Sequence, residues 1–341
     1  MFDLQKLIRP SLLNLKPYSS ARDEFTGSEG IFLDANENPY GELNRYPDPH
    51  QKALKKKLSE VKSVAAENIF IGNGSDEIID LIFRLFCVPV KDKALTFTPT
   101  YGMYDVSAAI NNVELIKIPL NDSFQINENE LSSYLTDENL KLIFICSPNN
   151  PTGNNIENIS SIASKFKGIV VIDEAYIDFS EAKTFSKFIN EMENIIVMQT
   201  LSKAWGLAAA RVGMAFADRT IIQHLNNIKP PYNVSGLNQE AAINALNNRM
   251  IFEEQKKSIL LQRDFLQQEL NKISCVKKIF PTDANFILVE MTDADKIYNA
   301  LVSKKVITRN RNSVVKNCIR ITVGSPEENK ILIKTLNETA A

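Results

Sequence analysis

The sequence has few of the residues that build metal centres and disulfide frameworks. Two histidines and four cysteines occur among 341 residues, and no two cysteines form a CxxC pair. Zinc sites use clustered cysteine and histidine, and disulfide-rich folds use closely spaced cysteines. The cysteines here lie far apart and mostly inside apolar runs, at Cys87, Cys146, Cys275 and Cys318. We therefore expect buried thiols, no bound metal and a cytoplasmic location.

The chain also lacks long hydrophobic runs and an excess of charge of either sign. No apolar stretch approaches the roughly 20 residues that span a bilayer, and residues 1–20 lack the basic and apolar regions of a signal peptide. The 39 basic and 41 acidic residues give a net charge of −2. Because nucleic-acid binding needs a basic surface, we expect no nucleic-acid partner and no membrane association.

The length and the apolar pattern predict two domains. A single core usually stops growing before about 300 residues. Between residues 68 and 217, short apolar runs alternate with amphipathic segments, which predicts an α/β fold with a mostly parallel sheet sandwiched by helices. The pattern beyond residue 218 is typical of a smaller α+β domain. We assign residues 31–245 to the large domain, and residues 1–30 and 246–341 to the small one.

The predicted strands indicate where a ligand would bind. In the large domain they span 68–71, 94–97, 113–118, 142–146, 169–172, 195–198 and 212–217, with a short additional strand from Ile31. In the small domain they span 277–280, 285–290 and 319–323. Ligands of parallel sheets bind beyond the carboxyl ends of the strands, so residues that follow these strands are the site candidates.

Lys203 lies between two apolar runs, Ile195–Met198 and Ala208–Ala217. An unpaired ammonium near a core is costly, so such a lysine reaches solvent, pairs with an acid, or has a lowered pKa and takes part in chemistry. Considered alone, Lys203 is best interpreted as an ordinary solvent-reaching lysine. Other motifs of the chain favour the chemical interpretation.

Polar and aromatic residues follow several of the predicted strands. Gly74, Ser75 and Asp76 separate a strand from a helix, and the amides of a helix N-terminus bind anions. The residues that follow other strands are Tyr101, Asn150, Asp173 and Tyr176. Each of them also has a purely structural interpretation, as a cap, a turn residue or a packed aromatic.

Two arginines are further candidate site residues. Arg211 offers a fork of donors suited to phosphate, and Arg320 is a lone cation within a predicted strand of the small domain, where it could bind a carboxylate. Together with Lys203 and the residues at the strand ends, they suit a phosphorylated, planar, cationic cofactor carried as a Schiff base.

Three motifs resemble the fold-type I pyridoxal-phosphate-dependent aminotransferases in their order and spacing: Asn150–Gly153, Asp173–Tyr176 and Ser202–Gly213. The resemblance covers nearly the whole chain. Further motifs are similar to those of the histidinol-phosphate aminotransferase subfamily, at residues 17–22, 33–41, 45–49, 72–77 and 318–324.

The resemblance implies a role for each candidate around the cofactor ring. Lys203 would carry pyridoxal 5′-phosphate and act as the general base and acid. Asp173 would pair with the ring nitrogen and keep it protonated. Asn150 and Tyr176 would hydrogen-bond the ring's 3′-oxygen, and Tyr101 would stack on the ring.

The resemblance also implies which residues bind the anionic groups. The cofactor phosphate would be held by Gly74, Ser75, Asp76, Ser202 and Arg211, and by Tyr46 of a neighbouring subunit in a homodimer. Substrate would be bound by Arg320 and Arg309, with Tyr18 and Asn36 lining the pocket. The short loop at 310–319 leaves open whether Arg309 or Arg311 contacts the substrate phosphate.

The expected activity is amino transfer between glutamate and imidazole-acetol phosphate, which gives histidinol phosphate and 2-oxoglutarate in histidine biosynthesis. A threonine-phosphate decarboxylase and an aromatic amino acid aminotransferase remain alternatives, because these relatives share most of the motifs. A non-catalytic pyridoxal-phosphate-binding regulator is less favoured, because the chain has no basic helix-turn-helix pattern.

Overall fold

A computed structural model describes residues 2–19 and 30–340 of the chain. Its larger sheet contains β1 (Ile69–Asn73), β2 (Lys93–Thr98), β3 (Glu114–Pro119), β4 (Leu140–Cys146), β5 (Ile169–Asp173), β6 (Ile195–Thr200) and β7 (Val212–Phe216). The strand order is β1-β7-β6-β5-β4-β2-β3. Strands β2 to β6 pair in parallel, and β7 is antiparallel to both of its neighbours. The mostly parallel sheet is confirmed, and each of its seven strands begins and ends within two residues of its predicted bounds.

Helices precede, connect and follow these strands. They are α1 (Leu4–Leu7), α2 (Lys52–Lys62), α3 (Ser75–Phe86), α4 (Met103–Ile110), α5 (Glu128–Ser132), α6 (Ile159–Lys165), α7 (Arg219–Ile228), α8 (Gly236–Asn247), α9 (Arg249–Leu270), α10 (Ala294–Ser303) and α11 (Pro326–Ala340). Within the described part of the chain, none of them combines the length and apolar character needed to cross a membrane.

The larger sheet is buried on both faces. Alternate residues of one strand enter different clusters: Val170 and Ile172 pack with α2, α6 and α8 residues, whereas Ile169 and Val171 pack with α3, α4 and α7 residues. Side chains of a strand alternate between faces, so strands that are covered on both sides need the continuous apolar runs seen in the sequence.

A second sheet forms the α+β part of the fold. It contains β8 (Val276–Ile279), β9 (Phe286–Met291), β10 (Arg309–Asn310) and β11 (Cys318–Thr322), in the antiparallel order β10-β11-β9-β8. Its core includes residues of α9, α10 and α11. The two-residue strand β10 was not predicted, because so short a segment carries no alternation to detect.

Two expectations differ from the structure. The strand predicted from Ile31 is wrong: residues 31–33 form no strand, and Ile31 and Leu33 are 91% and 88% exposed. An apolar segment forms a strand only where a neighbouring strand pairs with it.

The N-terminal arm, which we assigned to the small domain, contacts the larger sheet's core through Ile8, and the Arg9 amide donates to the Leu85 carbonyl at 2.9 Å. The domain boundaries themselves stay a prediction.

The loop after β1 packs tightly against β7. A Cβ atom added to Gly213 would lie 2.5 Å from backbone atoms of both Gly74 and Ser75. No residue other than glycine fits there without moving one of the two backbones, so the first turn of α3 is held against the sheet.

We expect Gly213→Ala to lower the free energy of unfolding by about 1–3 kcal/mol, as overpacking of a close contact does. Chemical denaturation monitored by circular dichroism measures the change. Gly102→Ala is the matched control, since a Cβ there meets no atom within 4 Å and the φ of Gly102 is −70°. Equal stability of both variants would contradict the close contact.

Candidate active site

The pairing directions of the larger sheet bring several strand ends to one edge. The carboxyl ends of β2, β4, β5 and β6 meet there because these strands are parallel. Strand β7 is antiparallel to β6, so its amino end, which Arg211 precedes, lies at the same edge. Strand β1 is antiparallel to β7, so its carboxyl end and the loop at Gly74 lie there too.

A cavity at this edge collects most of the predicted cofactor residues. It encloses about 480 Å³, including the part that opens to solvent. The predicted residues that line it are Ser75, Asp76, Tyr101, Asn150, Asp173, Tyr176, Ser202, Lys203 and Arg211. Cys146, Ala175 and Thr200 also line it, and sequence reasoning gave them no role.

Asp173 is a buried carboxylate at the end of β5, only 3% exposed. Its Oδ2 accepts a hydrogen bond from the Tyr104 hydroxyl at 2.8 Å, and its Oδ1 accepts one from the Ala175 amide at 3.2 Å. Burial raises the pKa of Asp173 to about 6, while the bonds from Tyr104 and Ala175 oppose that rise. Near pH 7 the group is therefore mainly anionic and faces the cavity with a negative charge.

Lys203 lines the cavity and is exposed. Its Nζ is 5.6 Å from the centroid of the Tyr176 ring. Partial burial lowers the pKa of Lys203, and the positive charge of Arg320 lowers it further, against the opposing effect of Asp173. A lysine with a lowered pKa is more often a neutral amine, which is the nucleophilic and basic form.

The loop before α3 forms a cup for an anion. Gly74 precedes the first residue of α3 and has φ +82°, a conformation that suits glycine. A Cβ added to Gly74 would lie 2.5 Å from Nη2 of Arg211, so the guanidinium lies directly over this loop. The N-terminal amides of α3, the hydroxyls of Ser75 and Ser202, and the Arg211 charge together suit a phosphate.

Two carboxylates of α3 accept hydrogen bonds from residues around the cup. Asp76 accepts hydrogen bonds from the Tyr101 hydroxyl at 3.0 Å and from Arg211 at 3.4 Å, so it holds the Tyr101 ring and the Arg211 guanidinium together. Glu77 accepts from the Asn73 amide at 2.6 Å and from the Asn233 side chain at 2.8 Å. Neither carboxylate attracts a phosphate, so contact of Asp76 with that group would come through its backbone amide.

Asn150 joins the cavity to the second sheet. Its Oδ1 accepts a 2.5 Å hydrogen bond from Nη1 of Arg320, and the guanidinium lies over the Phe286 ring at 5.1 Å. Arginine can only donate, so the amide oxygen must face Arg320. The amide NH₂ of Asn150, which lines the cavity together with Tyr176, is then available as a donor to a bound group.

This donor set fits pyridoxal phosphate. The anion cup suits its phosphate, the Asp173 carboxylate suits a protonated ring nitrogen, and the Asn150 amide suits an oxyanion on the ring. Lys203 supplies the amine that forms the covalent link. The fit rests on the Gly74 cradle beneath Arg211 and on the buried charge of Asp173.

Several predicted residues lie away from this cavity. Tyr46 is 52% exposed and stacks on Tyr232, with ring centroids 4.5 Å apart. Tyr18 lines a separate cleft that His50 and Lys229 also line. Asn36 is exposed and does not line the cavity. The motif residues 20–22 lie outside the described residues.

The three arginines of the second sheet differ in their surroundings. Arg309 is exposed and pairs with Arg320 across β10 and β11, whereas Arg311 is partly buried. Burial is the main cause of the lowered pKa of both Arg311 and Arg320. In the described part of the chain, the Nε atoms of Arg311 and Arg320 are buried without a hydrogen-bond partner.

Sequence reasoning missed Tyr104 and Thr200. Tyr104 lies on the apolar face of α4, where a tyrosine is usually a core residue, so the sequence carried no sign of its contact with Asp173. The Thr200 hydroxyl donates to Oγ of Ser202 at 2.9 Å and accepts from the Ser202 amide at 3.1 Å, which orients the Ser202 side chain. Its place at the end of β6 was the available signal.

A family model and the relatives of this chain indicate the same protein family. Residues 31–336 match the family model described as aminotransferase class I and II. A histidinol-phosphate aminotransferase of Cytophaga hutchinsonii is 50% identical over 98% of this chain and 99% of its own length. One of Bacteroides thetaiotaomicron is 51% identical over 99% of both chains.

A solved structure agrees with these relatives. The histidinol-phosphate aminotransferase of Sinorhizobium meliloti, in complex with pyridoxal-5′-phosphate, is 25% identical and superposes with a TM-score of 0.80. The match covers 87% of this chain and 83% of the other. The chain therefore belongs to the class I and II aminotransferases and, within them, to the histidinol-phosphate aminotransferase family.

Proposed function

We propose that this enzyme moves an amino group between glutamate and imidazole-acetol phosphate, giving histidinol phosphate and 2-oxoglutarate, with pyridoxal 5′-phosphate as its cofactor. The reaction belongs to histidine biosynthesis. The observation that carries the proposal is that Lys203, Asp173 and the anion cup at Gly74 surround one cavity. The names of relatives about 50% identical over nearly the whole chain supply the substrate.

Lys203 moves the proton in this proposal. Bound pyridoxal phosphate supplies an electron-withdrawing ring that takes up the electrons left when a substrate carbon loses a proton. The lowered pKa of Lys203 favours the neutral amine. Once the substrate's amino group has replaced Lys203 on the cofactor, Nζ would be free to remove the proton from the substrate's Cα and deliver it to the cofactor's C4′ carbon. Lys203 lines the cavity and is exposed, which suits access to both the cofactor and the substrate.

Asp173 and Asn150 would bind two different groups of the cofactor ring. The Asp173 carboxylate would pair with the ring nitrogen and keep a proton on it. The Asn150 amide, together with the Tyr176 hydroxyl, would donate to the ring's 3′-oxygen. Tyr101 stacks on the ring in an orientation that Asp76 fixes.

The guanidinium groups of the second sheet bind the anionic ends of the substrates. Arg320 adjoins the cavity through Asn150, so we assign it to the carboxylate of glutamate and to the phosphate of the other substrate. The buried, unpartnered Nε atoms of Arg311 and Arg320 support an anion between the two residues. Arg309 is exposed, which suits contact with a phosphate from solvent.

The functional unit is a homodimer in this proposal. Tyr46 lies outside the cavity of its own chain, which suits a role in the phosphate site of a second subunit. Apolar side chains near it are strongly exposed, among them Ile31, Leu33, Tyr40 and Leu43. A partner subunit would cover them and bring Tyr18 and Asn36 close to a substrate. The four reduced cysteines suit a cytoplasmic enzyme.

A substrate panel tests the proposed reaction. With glutamate as amino donor, we expect turnover of imidazole-acetol phosphate to exceed that of phenylpyruvate by at least about 100-fold in kcat/KM. The carboxylate of phenylpyruvate offers the arginines of the second sheet less charge and fewer acceptor oxygens than a phosphate does. Release of 2-oxoglutarate measures the rate. No turnover of imidazole-acetol phosphate, with activity toward phenylpyruvate, would contradict the assignment.

We expect Arg320→Ala to weaken glutamate binding by about 10- to 150-fold, the loss expected for hydrogen bonds to a charged group. Cofactor affinity should change by less than about 5-fold, because Arg320 reaches the cofactor only through Asn150. Spectral titration of the cofactor-loaded enzyme with glutamate and equilibrium dialysis of the cofactor measure the two constants.

Arg249→Ala is the matched control for this variant. Arg249 lies on α9 with its side chain 66% exposed and makes only a long ion pair with Glu253. Its loss should change neither constant. Equal weakening of glutamate and cofactor in Arg320→Ala would assign Arg320 to a structural role.

A further inference from the structure

Tyr104 makes a buried polar contact with Asp173, which lines the cavity. Its side chain is 0% exposed, although its hydroxyl is polar. The ring stacks on Phe144 at 4.9 Å and meets the edge of Tyr101 at 5.8 Å, so its position is fixed on both sides. The hydroxyl donates to Oδ2 of Asp173 at 2.8 Å.

This bond accounts for half of the hydrogen bonding of Asp173. Within the described residues, the other donor to this carboxylate is the Ala175 amide, which donates to Oδ1. A carboxylate offers about four lone-pair directions, so the remaining ones are free to face the cavity. The two donors approach different oxygens, and together they allow one orientation of the carboxylate.

We propose that Tyr104 is a positioning residue, whose hydroxyl holds the Asp173 carboxylate in one orientation and in its charged form so that the bound cofactor's ring nitrogen keeps its proton. The proposal rests on the proposed function for its cofactor, but not on the identity of the second substrate. Tyr104 touches neither substrate nor cofactor in this account and acts through Asp173.

Other groups around Asp173 do not replace this donor. Cys146 lies opposite Asp173 in the pairing of β4 and β5, and burial raises the pKa of its thiol well above its usual value. Asp76 is a like charge that disfavours the Asp173 carboxylate, whereas Lys203 is an opposite charge that favours it. The Tyr176 hydroxyl adjoins the same space, and burial raises its pKa also.

Loss of the Tyr104 hydroxyl should raise the pKa of Asp173 further. Burial already raises the pKa of Asp173 to about 6 with the Tyr104 bond in place. Without that bond the pKa rises further, because one donor to the charged form is gone. The proton shared between ring nitrogen and carboxyl then moves toward the carboxyl, and the ring withdraws electrons less strongly.

Tyr104→Phe tests the proposal because it removes the hydroxyl and keeps the ring. We expect the rate of the glutamate half-reaction to fall about 10- to 100-fold, the loss of one hydrogen bond to a charged group, with the KM of glutamate changed less than about 3-fold. Tyr134→Phe is the matched control, since Tyr134 packs at the edge of the large core and does not line the cavity.

The nitrogen-15 NMR chemical shift of cofactor labelled at its ring nitrogen reports whether that nitrogen is protonated. The shift would not change if Tyr104 had a purely structural role. At pH 7.5 the native enzyme and Tyr134→Phe should show a protonated nitrogen, and Tyr104→Phe should shift toward the unprotonated value. An unchanged shift in folded Tyr104→Phe would overturn the proposal.

Thermal unfolding checks that the variant is folded. If Tyr104→Phe destabilises the core, Tyr104→4-fluorophenylalanine replaces it in these measurements, because fluorine fills the hydroxyl volume without an O–H donor.

A double-mutant cycle separates action through Asp173 from action elsewhere. In an Asp173→Asn background, Tyr104→Phe should change the half-reaction rate less than about 3-fold, because the carboxylate it serves is absent. An equal loss in both backgrounds would overturn the proposal. These measurements use glutamate alone, so they stand even if imidazole-acetol phosphate proves not to be the second substrate.

Discussion

The buried charge of Asp173 is the constraint on which the site depends. A carboxylate that is 3% exposed is stable as an anion only if the protein supplies donors, and Tyr104 and the Ala175 amide are those donors. The residual cost appears in the pKa of Asp173, raised to about 6. A cationic ring nitrogen would offset that cost, so the apo site is built to favour the cofactor it binds.

The directions of the strands place the other site residues around the Asp173 carboxylate. Parallel strands deliver Asn150, Asp173 and Lys203 to one edge, and the reversed strand β7 places Arg211 above the Gly74 loop. The second sheet contributes Arg320, whose hydrogen bond to Asn150 joins the proposed substrate-binding residue to a proposed cofactor-binding residue. In the proposed function, a substrate anion that binds Arg320 would therefore also affect the Asn150 amide.

Much of this arrangement could be predicted because local patterns encode it. Continuous apolar runs defined the strands of the larger sheet, and the residues after them line the cavity. Contacts between distant segments were beyond the sequence: Tyr104 and Asp173 are 69 positions apart, and Arg320 and Asn150 are 170 apart. The apolar stretch at Ile31 gave a wrong strand, since no strand of the described residues pairs with residues 31–33.

The central claim is that Lys203 is the amine that carries the cofactor opposite Asp173. Reduction of the cofactor-loaded enzyme with borohydride, followed by proteolysis and mass spectrometry, tests it directly. The account predicts one pyridoxyl-labelled peptide, with the label on Lys203, and no label when Lys203 is replaced by alanine. A stable label on another lysine, or full activity of Lys203→Ala without added amine, would contradict it.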